Sequence, residues 1–212
     1  MIYSKDHNFL MLKNVKVGGT SLEVELSKVL PISAIVTPII PKNKEHKPRH
    51  YRNFRNHMPY EEISKLIDLS NAKSYIIIRN PYYMVLSNFF YALTLINVDW
   101  NTLNNKEKEN FVHKYFYDDP EDTILSMLKS SKSIYMVNNK SIIDQYIRYE
   151  DGIEEQINPI LECHGIPKIT MNTFEKQHRP KNIHPEDIFK DEHMELIKRE
   201  WFWEFDNLGY NR

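Results

Sequence analysis

The fold is decided near the N-terminus by the stretch FLMLKNVKVGGTSL, residues 9–22. Phe9 to Leu12 form a short apolar run that predicts a buried strand, and apolar residues at helical spacing follow from Ser21 to Leu30. The pair Gly18-Gly19 lies between them, so this stretch predicts a strand, a glycine turn and a helix. Such a turn directs backbone N–H groups to a common centre at the positive end of the helix dipole, which suits a phosphate.

The lysine of this turn precedes the glycines. A standard ATP or GTP loop reads Gly-x-x-x-x-Gly-Lys-Ser/Thr, with the lysine after the last glycine. Here Lys16 comes before Gly18, and the first glycine of that motif is absent. The order of residues therefore disfavours a standard nucleoside triphosphate loop, although it still favours an anion site.

Strand and helix patterns alternate along the rest of the chain. Further strands are predicted at residues 32–40, 74–78 and 142–149, and helices at 59–69, 81–96, 106–117, 120–129, 151–164 and 185–208. The run Ser74 to Ile78 has the continuous apolar character of strands buried in parallel sheets. Asn80 suits a helix N-cap and Pro81 the first helical position. The pattern predicts an α/β fold with a central, mainly parallel sheet flanked by helices.

Composition limits the possible classes of protein. A chain of 212 residues with 41% hydrophobic and 12% aromatic content predicts one domain, residues 1–212. The net charge of −1 does not indicate nucleic acid or an anionic membrane as a partner. Cys163 is the only cysteine, which excludes an internal disulfide. With no signal peptide pattern and no run of about 20 apolar residues, we expect a cytoplasmic protein without a membrane span.

Positive charge is concentrated in residues 42–56, which predict a basic loop or lid. Its cations outnumber the single acid Glu45, and they are Lys42, Lys44, Lys47, Arg49, Arg52 and Arg55. Tyr51 and Phe54 stand among them and could stack on a sugar ring or a base. The segment is either a solvated loop or a surface for an anionic or saccharide acceptor.

The loop Lys16-Val17-Gly18-Gly19-Thr20-Ser21 resembles the 5′-phosphosulfate loop of sulfotransferases that use 3′-phosphoadenosine 5′-phosphosulfate (PAPS), especially the carbohydrate-type branch. Those enzymes also carry an arginine at the end of a later strand and a serine eight positions on, which Arg79 and Ser87 match. The chain departs from the family at Asn80, where an acid is common, and at Met84, where a basic residue is frequent. The resemblance implies a three-layer P-loop-like fold.

The resemblance also implies which residues hold the donor. The expected donor-binding residues are Lys16, Val17, Gly18, Gly19, Thr20, Ser21 and Leu22 for the 5′-phosphosulfate, Arg79 and Ser87 for the 3′-phosphate, and, from a looser match, Arg179 and Lys181. Lys16 is expected to stabilise the charge on the leaving oxygen, and the product is 3′-phosphoadenosine 5′-phosphate (PAP). We expect no metal.

His57 is the predicted general base, because it precedes Met58-Pro59 and a predicted helix, where such a family often places one. Other candidates for that role are His50, Glu61 and Glu62. A saccharide, a small-molecule alcohol and a protein tyrosine all remain open as acceptors.

Two other classes compete with this interpretation. A P-loop kinase-like transferase would need a lysine after the glycines and an acid for Mg²⁺ at the end of a buried strand, where Arg79 stands instead. A nucleic-acid-binding module would use residues 42–56, but the net charge argues against it.

Overall fold

The computed structural model describes residues 1–118, 125, 128–129, 131–172 and 182–211. The chain contacts define two compact units, one formed by residues 1–78 with 131–175 and the other by residues 79–130 with 176–212. The expectation of a single domain over residues 1–212 stays a prediction.

The strands, in chain order, are β1 (Ile2–Ser4), β2 (Phe9–Leu12), β3 (Ile35–Val36), β4 (Lys73–Ile78), β5 (Met136–Val137), β6 (Lys140–Ser141) and β7 (Gln145–Arg148). The helices described are α1 (Gly19–Val29), α2 (Tyr60–Ser64), α3 (Pro81–Leu95), α4 (Asn105–Tyr117), α5 (Ile153–Cys163), α6 (Pro185–Ile188), α7 (Asp191–Glu200) and α8 (Phe202–Asn207). The predicted helix at 120–129 lies mostly outside the described residues.

The first unit is built on a five-stranded sheet with the order β3-β1-β2-β4-β7. β4 pairs in parallel with both β2 and β7, whereas β1 runs antiparallel to its two neighbours. Ile76, Ile77 and Ile78 are buried, as expected for a central strand covered on both faces. The predicted α/β class with a mostly parallel central sheet is confirmed.

Some elements are shorter than the sequence predicted. The strand expected at 32–40 is only β3, because a turn precedes it, in which the Ala34 amide donates to the Pro31 carbonyl at 3.1 Å, and Pro38 beyond it has no N–H for a ladder. The helix expected at 59–69 is only α2. Beyond it, the Asp68 carboxylate accepts a hydrogen bond from the Ser70 amide at 2.9 Å, a local turn that competes with the helix. β1 and the β5–β6 hairpin were not predicted.

The second unit is helical and has an aromatic core. The ring of Phe89 on α3 lies 5.2–5.9 Å from the rings of Trp100, Tyr115 and Phe189. Asn80 caps α3 by accepting from the Tyr82 amide at 3.0 Å, as predicted. The helix predicted at 185–208 is instead divided into α6, α7 and α8. Among the residues described, no helix has the length and apolar character to cross a membrane.

Asp144 joins the edge strand to the centre of the sheet, so its loss should be costly. Its carboxylate accepts from the backbone amide of Ser74 at 2.8 Å and from the Lys73 ammonium group at 3.0 Å. We expect Asp144→Ala to lower the free energy of unfolding in urea by about 1–3 kcal/mol, because the buried Ser74 amide loses its charge-assisted partner. Asp151→Ala is the matched control, since Asp151 is exposed and its pair with Arg148 lies at the surface. Equal decreases in the free energy of unfolding for the two variants would contradict a structural role for Asp144.

Candidate functional site

The predicted strand, glycine turn and helix are present in the structure. β2 ends at Leu12, α1 begins at Gly19, and Gly18 is the N-cap with a left-handed φ of 77°. The Gly18 carbonyl accepts from the Ser21 amide at 3.2 Å and closes the first turn of the helix. The remaining N–H groups of this first turn are the donors that an anion at a helix N-terminus uses.

Lys16 has an unusual backbone conformation. Its φ is 58°, in the left-handed region that a lysine rarely adopts. Every other non-glycine residue with positive φ in the described part of the chain is an asparagine or a histidine, types that enter this region more readily. Because local strain of this kind clusters at functional sites, the conformation supports a functional role for Lys16.

An aromatic ring packs on the turn. A β-carbon built on Gly18 would lie 2.9 Å from Cε2 and 3.2 Å from Cδ2 of Tyr149, which follows β7 directly. Ile153, at the start of α5, lies 3.5 Å from the same point. The turn therefore needs glycine at position 18 for two reasons, the positive φ and the closeness of Tyr149.

A buried ion cluster joins the start of this turn to α1. Glu23 on α1 accepts from the amino group of Met1 at 2.7 Å and also pairs with the Lys13 ammonium group, and all three groups are at most 5% exposed. Burial alone would raise the pKa of Glu23, but the two cations outweigh it and hold that pKa below its usual value. Because both oxygens of the Glu23 carboxylate are paired, this side chain ties Lys13, the first residue after β2, to α1.

The predicted base His57 is attached to this same loop. Its Nδ1 lies 3.0 Å from the carbonyl oxygen of Lys13. Burial, and then the charge of Lys13, lower the pKa of His57 from 6.5 to about 4, so the ring is neutral at pH 7. Because a carbonyl oxygen only accepts, Nδ1 carries the proton and Nε2 carries the lone pair. The structure thus brings a neutral imidazole to the predicted donor loop with the lone pair on Nε2, and the lowered pKa makes this nitrogen a weaker base than an ordinary imidazole.

Arg79 and Ser87 belong to the second unit. Arg79 follows the last residue of β4, and Ser87 lies on α3, roughly 9 Å along its axis from Pro81 at 1.5 Å per residue. Both residues are half-buried. The other two proposed donor contacts, Arg179 and Lys181, lie outside the described residues.

Part of the basic segment 42–56 has a structural role. The Arg49 guanidinium donates to the carbonyl oxygens of Ser27, Leu30 and Pro31, and so caps the C-terminal end of α1. Arg55 makes a bidentate ion pair with Glu62 at 2.6 and 2.9 Å. Two of the six predicted cations are therefore already engaged within the protein.

The alternative bases differ in their surroundings. Glu62 is paired with Arg55, and His50 lies 2.9 Å from the Ile32 carbonyl oxygen through its Nε2. Glu61 is exposed on α2.

Within the described ranges, no three His, Cys, Asp or Glu side chains group so that they could hold a metal ion.

The sequence reasoning missed the roles of Lys13 and Glu23. A signal was present, since Glu23 interrupts the apolar face of the helix between Leu22 and Val24, and Lys13 directly follows an apolar strand. A charge in such a place indicates a buried partner.

No family model matches the chain, and no curated protein matches it. Among solved structures, the chain is similar to a sulfotransferase from Alicyclobacillus acidocaldarius, with 15% identity over 91% of this chain and 92% of that chain and a TM-score of 0.42. At that identity and TM-score the similarity establishes neither the fold nor the activity of this chain.

Gly18 and Gly19 offer a matched pair of substitutions. Gly18→Ala should lower the free energy of unfolding by about 1–3 kcal/mol, because alanine must adopt a left-handed φ and displace the Tyr149 ring. Gly19→Ala should have little effect, since its β-carbon would meet only the Lys13 Cγ at 3.6 Å. Urea unfolding of both variants measures the difference. Similar free energies of unfolding for the two variants would show that neither the left-handed φ nor the Tyr149 ring constrains position 18.

The pKa of His57 predicts a pH dependence of stability. The unfolded chain takes up a proton on this ring below about pH 6.5, whereas the folded protein does so only near pH 4. Stability should therefore fall as the pH falls through this window, by at most roughly 3 kcal/mol from this group. His57→Asn should reduce that slope, because asparagine tolerates the left-handed φ of 56° and does not titrate.

His50→Asn is the control for this measurement. His50 also has a left-handed φ, of 52°, but its side chain is exposed. We expect this variant to keep the pH dependence of the wild-type protein in urea titrations between pH 4 and 7. The assignment to His57 is wrong if the two variants change the slope equally.

Proposed function

We propose that this chain is a sulfotransferase that transfers a sulfuryl group from PAPS to a hydroxyl acceptor, within a three-layer P-loop-like fold. The observation that carries the proposal is the loop between β2 and α1, where Lys16 adopts a left-handed conformation two residues before a glycine N-cap. That loop combines a cation with the backbone donors of a helix N-terminus, which suits a phosphosulfate group.

The donor would be held at its two ends by different residues. The 5′-phosphosulfate would bind to Lys16 and Val17, to the backbone N–H groups from Gly18 to Leu22 other than that of Ser21, and to the Thr20 and Ser21 hydroxyls. Arg79 and Ser87 would bind the 3′-phosphate, the guanidinium through its planar fork and the serine through its hydroxyl. Arg179 and Lys181 are further candidates for the same nucleotide.

In the proposed reaction, the acceptor oxygen attacks sulfur in line with the bond to the 5′-phosphate oxygen. A new S–O bond forms as the bond to the phosphate breaks, and the electron pair leaves on the phosphate of PAP. Lys16 would stabilise that charge as it develops. Nε2 of His57 would take the proton of the acceptor hydroxyl, because Nδ1 is already engaged with the Lys13 carbonyl.

The two competing functions have less support. β4 ends at Ile78 and continues into Arg79, so a cation stands where a kinase would need an acid for Mg²⁺. In the basic segment 42–56, Arg49 caps a helix and Arg55 is paired with Glu62, which weakens its case as a nucleic-acid surface. Neither feature counts against a sulfuryl transfer.

The donor assignment is tested by calorimetric titration of PAP, 5′-AMP and ATP without added Mg²⁺. We expect PAP to bind best to the wild-type protein and Arg79→Ala to lose about tenfold or more in PAP affinity, because one charge-assisted hydrogen bond contributes roughly 1.5–3 kcal/mol. Affinity for 5′-AMP, which lacks the 3′-phosphate, should not change.

Arg52→Ala is the control for lost positive charge, since Arg52 is an exposed arginine of the basic segment. It should bind PAP as the wild-type protein does. Tighter binding of ATP with Mg²⁺, or an equal loss in Arg52→Ala and Arg79→Ala, would contradict the proposal.

A further inference from the structure

The imidazole of His57 is held in place by its own hydrogen bond and by those of its neighbour. Its Nδ1 donates to the Lys13 carbonyl oxygen at 3.0 Å. The side chain of Asn56 is fixed as well, since its Oδ1 accepts from the Thr37 hydroxyl at 2.8 Å and its Nδ2 donates to the Pro38 carbonyl oxygen at 2.5 Å. The ring therefore has a set position, and Nε2 is the nitrogen that can gain a proton.

The charges around this ring do not balance. β1, the end of β2 and α1 bring the Met1 amino group, the Lys13 ammonium group and the Glu23 carboxylate, which are two cations and one anion. On the segment that carries the ring, the charge of Arg55 is balanced by its ion pair with Glu62. The surplus charge is therefore positive. It is also buried, where charges act strongly on one another because little water screens them.

Among these charges, that of Lys13 acts most strongly on the ring. After burial, it is the largest cause of the low pKa of His57, and the Met1 amino group acts in the same direction while Glu23 acts in the opposite one. Burial also lowers the pKa of the Met1 amino group, so this cation loses its proton more readily than an ordinary amino terminus. Without a donor, His57 is therefore neutral and a weak base.

A bound donor would change this balance of charge. The proposed 5′-phosphosulfate site begins at Lys16, three residues after Lys13, so the Cα atoms of these two lysines are at most about 11 Å apart. One negative charge about 10 Å from a titrating group raises its pKa by roughly one unit at an effective dielectric constant near 20. Because the pKa of His57 starts at about 4, it can rise by this amount and still lie below 7.

We propose that the negative charge of the bound donor makes His57 a stronger base, and that Lys13 is a positioning residue whose positive charge keeps the ring neutral at pH 7 while the donor is bound. This role rests on the proposed sulfotransferase function. Without the charge of Lys13, the donor would favour a protonated ring, and Nε2 would have no lone pair to accept the proton of the acceptor hydroxyl. With it, the base becomes stronger only after the nucleotide has bound.

The test is nitrogen NMR of the histidine side chains at pH 5, with the signals of His57 assigned by their loss in His57→Asn. A ring with a pKa of about 4 is roughly one-tenth protonated at this pH, and a pKa one unit higher makes it about half protonated. We expect saturating PAP to produce this roughly fivefold increase in the wild-type protein. Adenosine at the same concentration carries no phosphate and should leave the ring unchanged.

The role of Lys13 is tested without nucleotide. Lys13→Met removes the charge and should at least roughly double the protonated fraction of His57 at pH 5, whereas Lys13→Arg keeps the charge and should not change it. If Lys13→Met does not fold, Lys13→Gln replaces it, because the glutamine amide can still donate to Glu23.

Calorimetry with PAP at the same pH separates the two proposals. If PAP binds and the protonated fraction of His57 does not increase, the donor does not act on the base, and this inference is overturned while the donor site stands. An equal protonated fraction in the neutral and the arginine variants of Lys13 also overturns it. If PAP does not bind, the sulfotransferase proposal fails together with this one.

Discussion

The parallel pairing of β4 with β2 on one side and β7 on the other is the constraint on which the candidate site depends. Because the three strands point the same way, their carboxyl ends meet at one edge of the sheet, where open α/β sheets bind ligands. The Lys16 loop leaves β2 at that edge, and Tyr149 follows β7 there and packs on the loop. β4 ends at the same edge, and Arg79 is the next residue of the chain.

The elements that the sequence predicted well are those with strong local signals. The isoleucine run of β4 and the Asn80-Pro81 start of α3 carry their signals within a few residues, and the structure agrees with both. β1 is only three residues long and exists because it pairs with two other strands, which local periodicity does not reveal. α2 is short because a local turn at Asp68 competes with the helix pattern.

The candidate site was predictable in part for the same reason. The glycine turn is contiguous in the sequence, so its strand and helix could be placed from periodicity. The bond between His57 and the Lys13 carbonyl joins residues 44 positions apart, and no local pattern indicates it. The partners of Glu23 were equally hidden. A buried carboxylate is costly unless it is paired, and Glu23 is tolerated because it meets a cation at each of its oxygens.

The contact between Gly18 and Tyr149 links two positions that are 131 residues apart in the sequence. A change at either position alters the space available to the other, so the two should vary together among related proteins. A sequence with a smaller side chain at position 149 would leave room for asparagine at 18, whereas one with a bulky ring there would retain glycine. This joint pattern is a more selective search criterion than either motif alone.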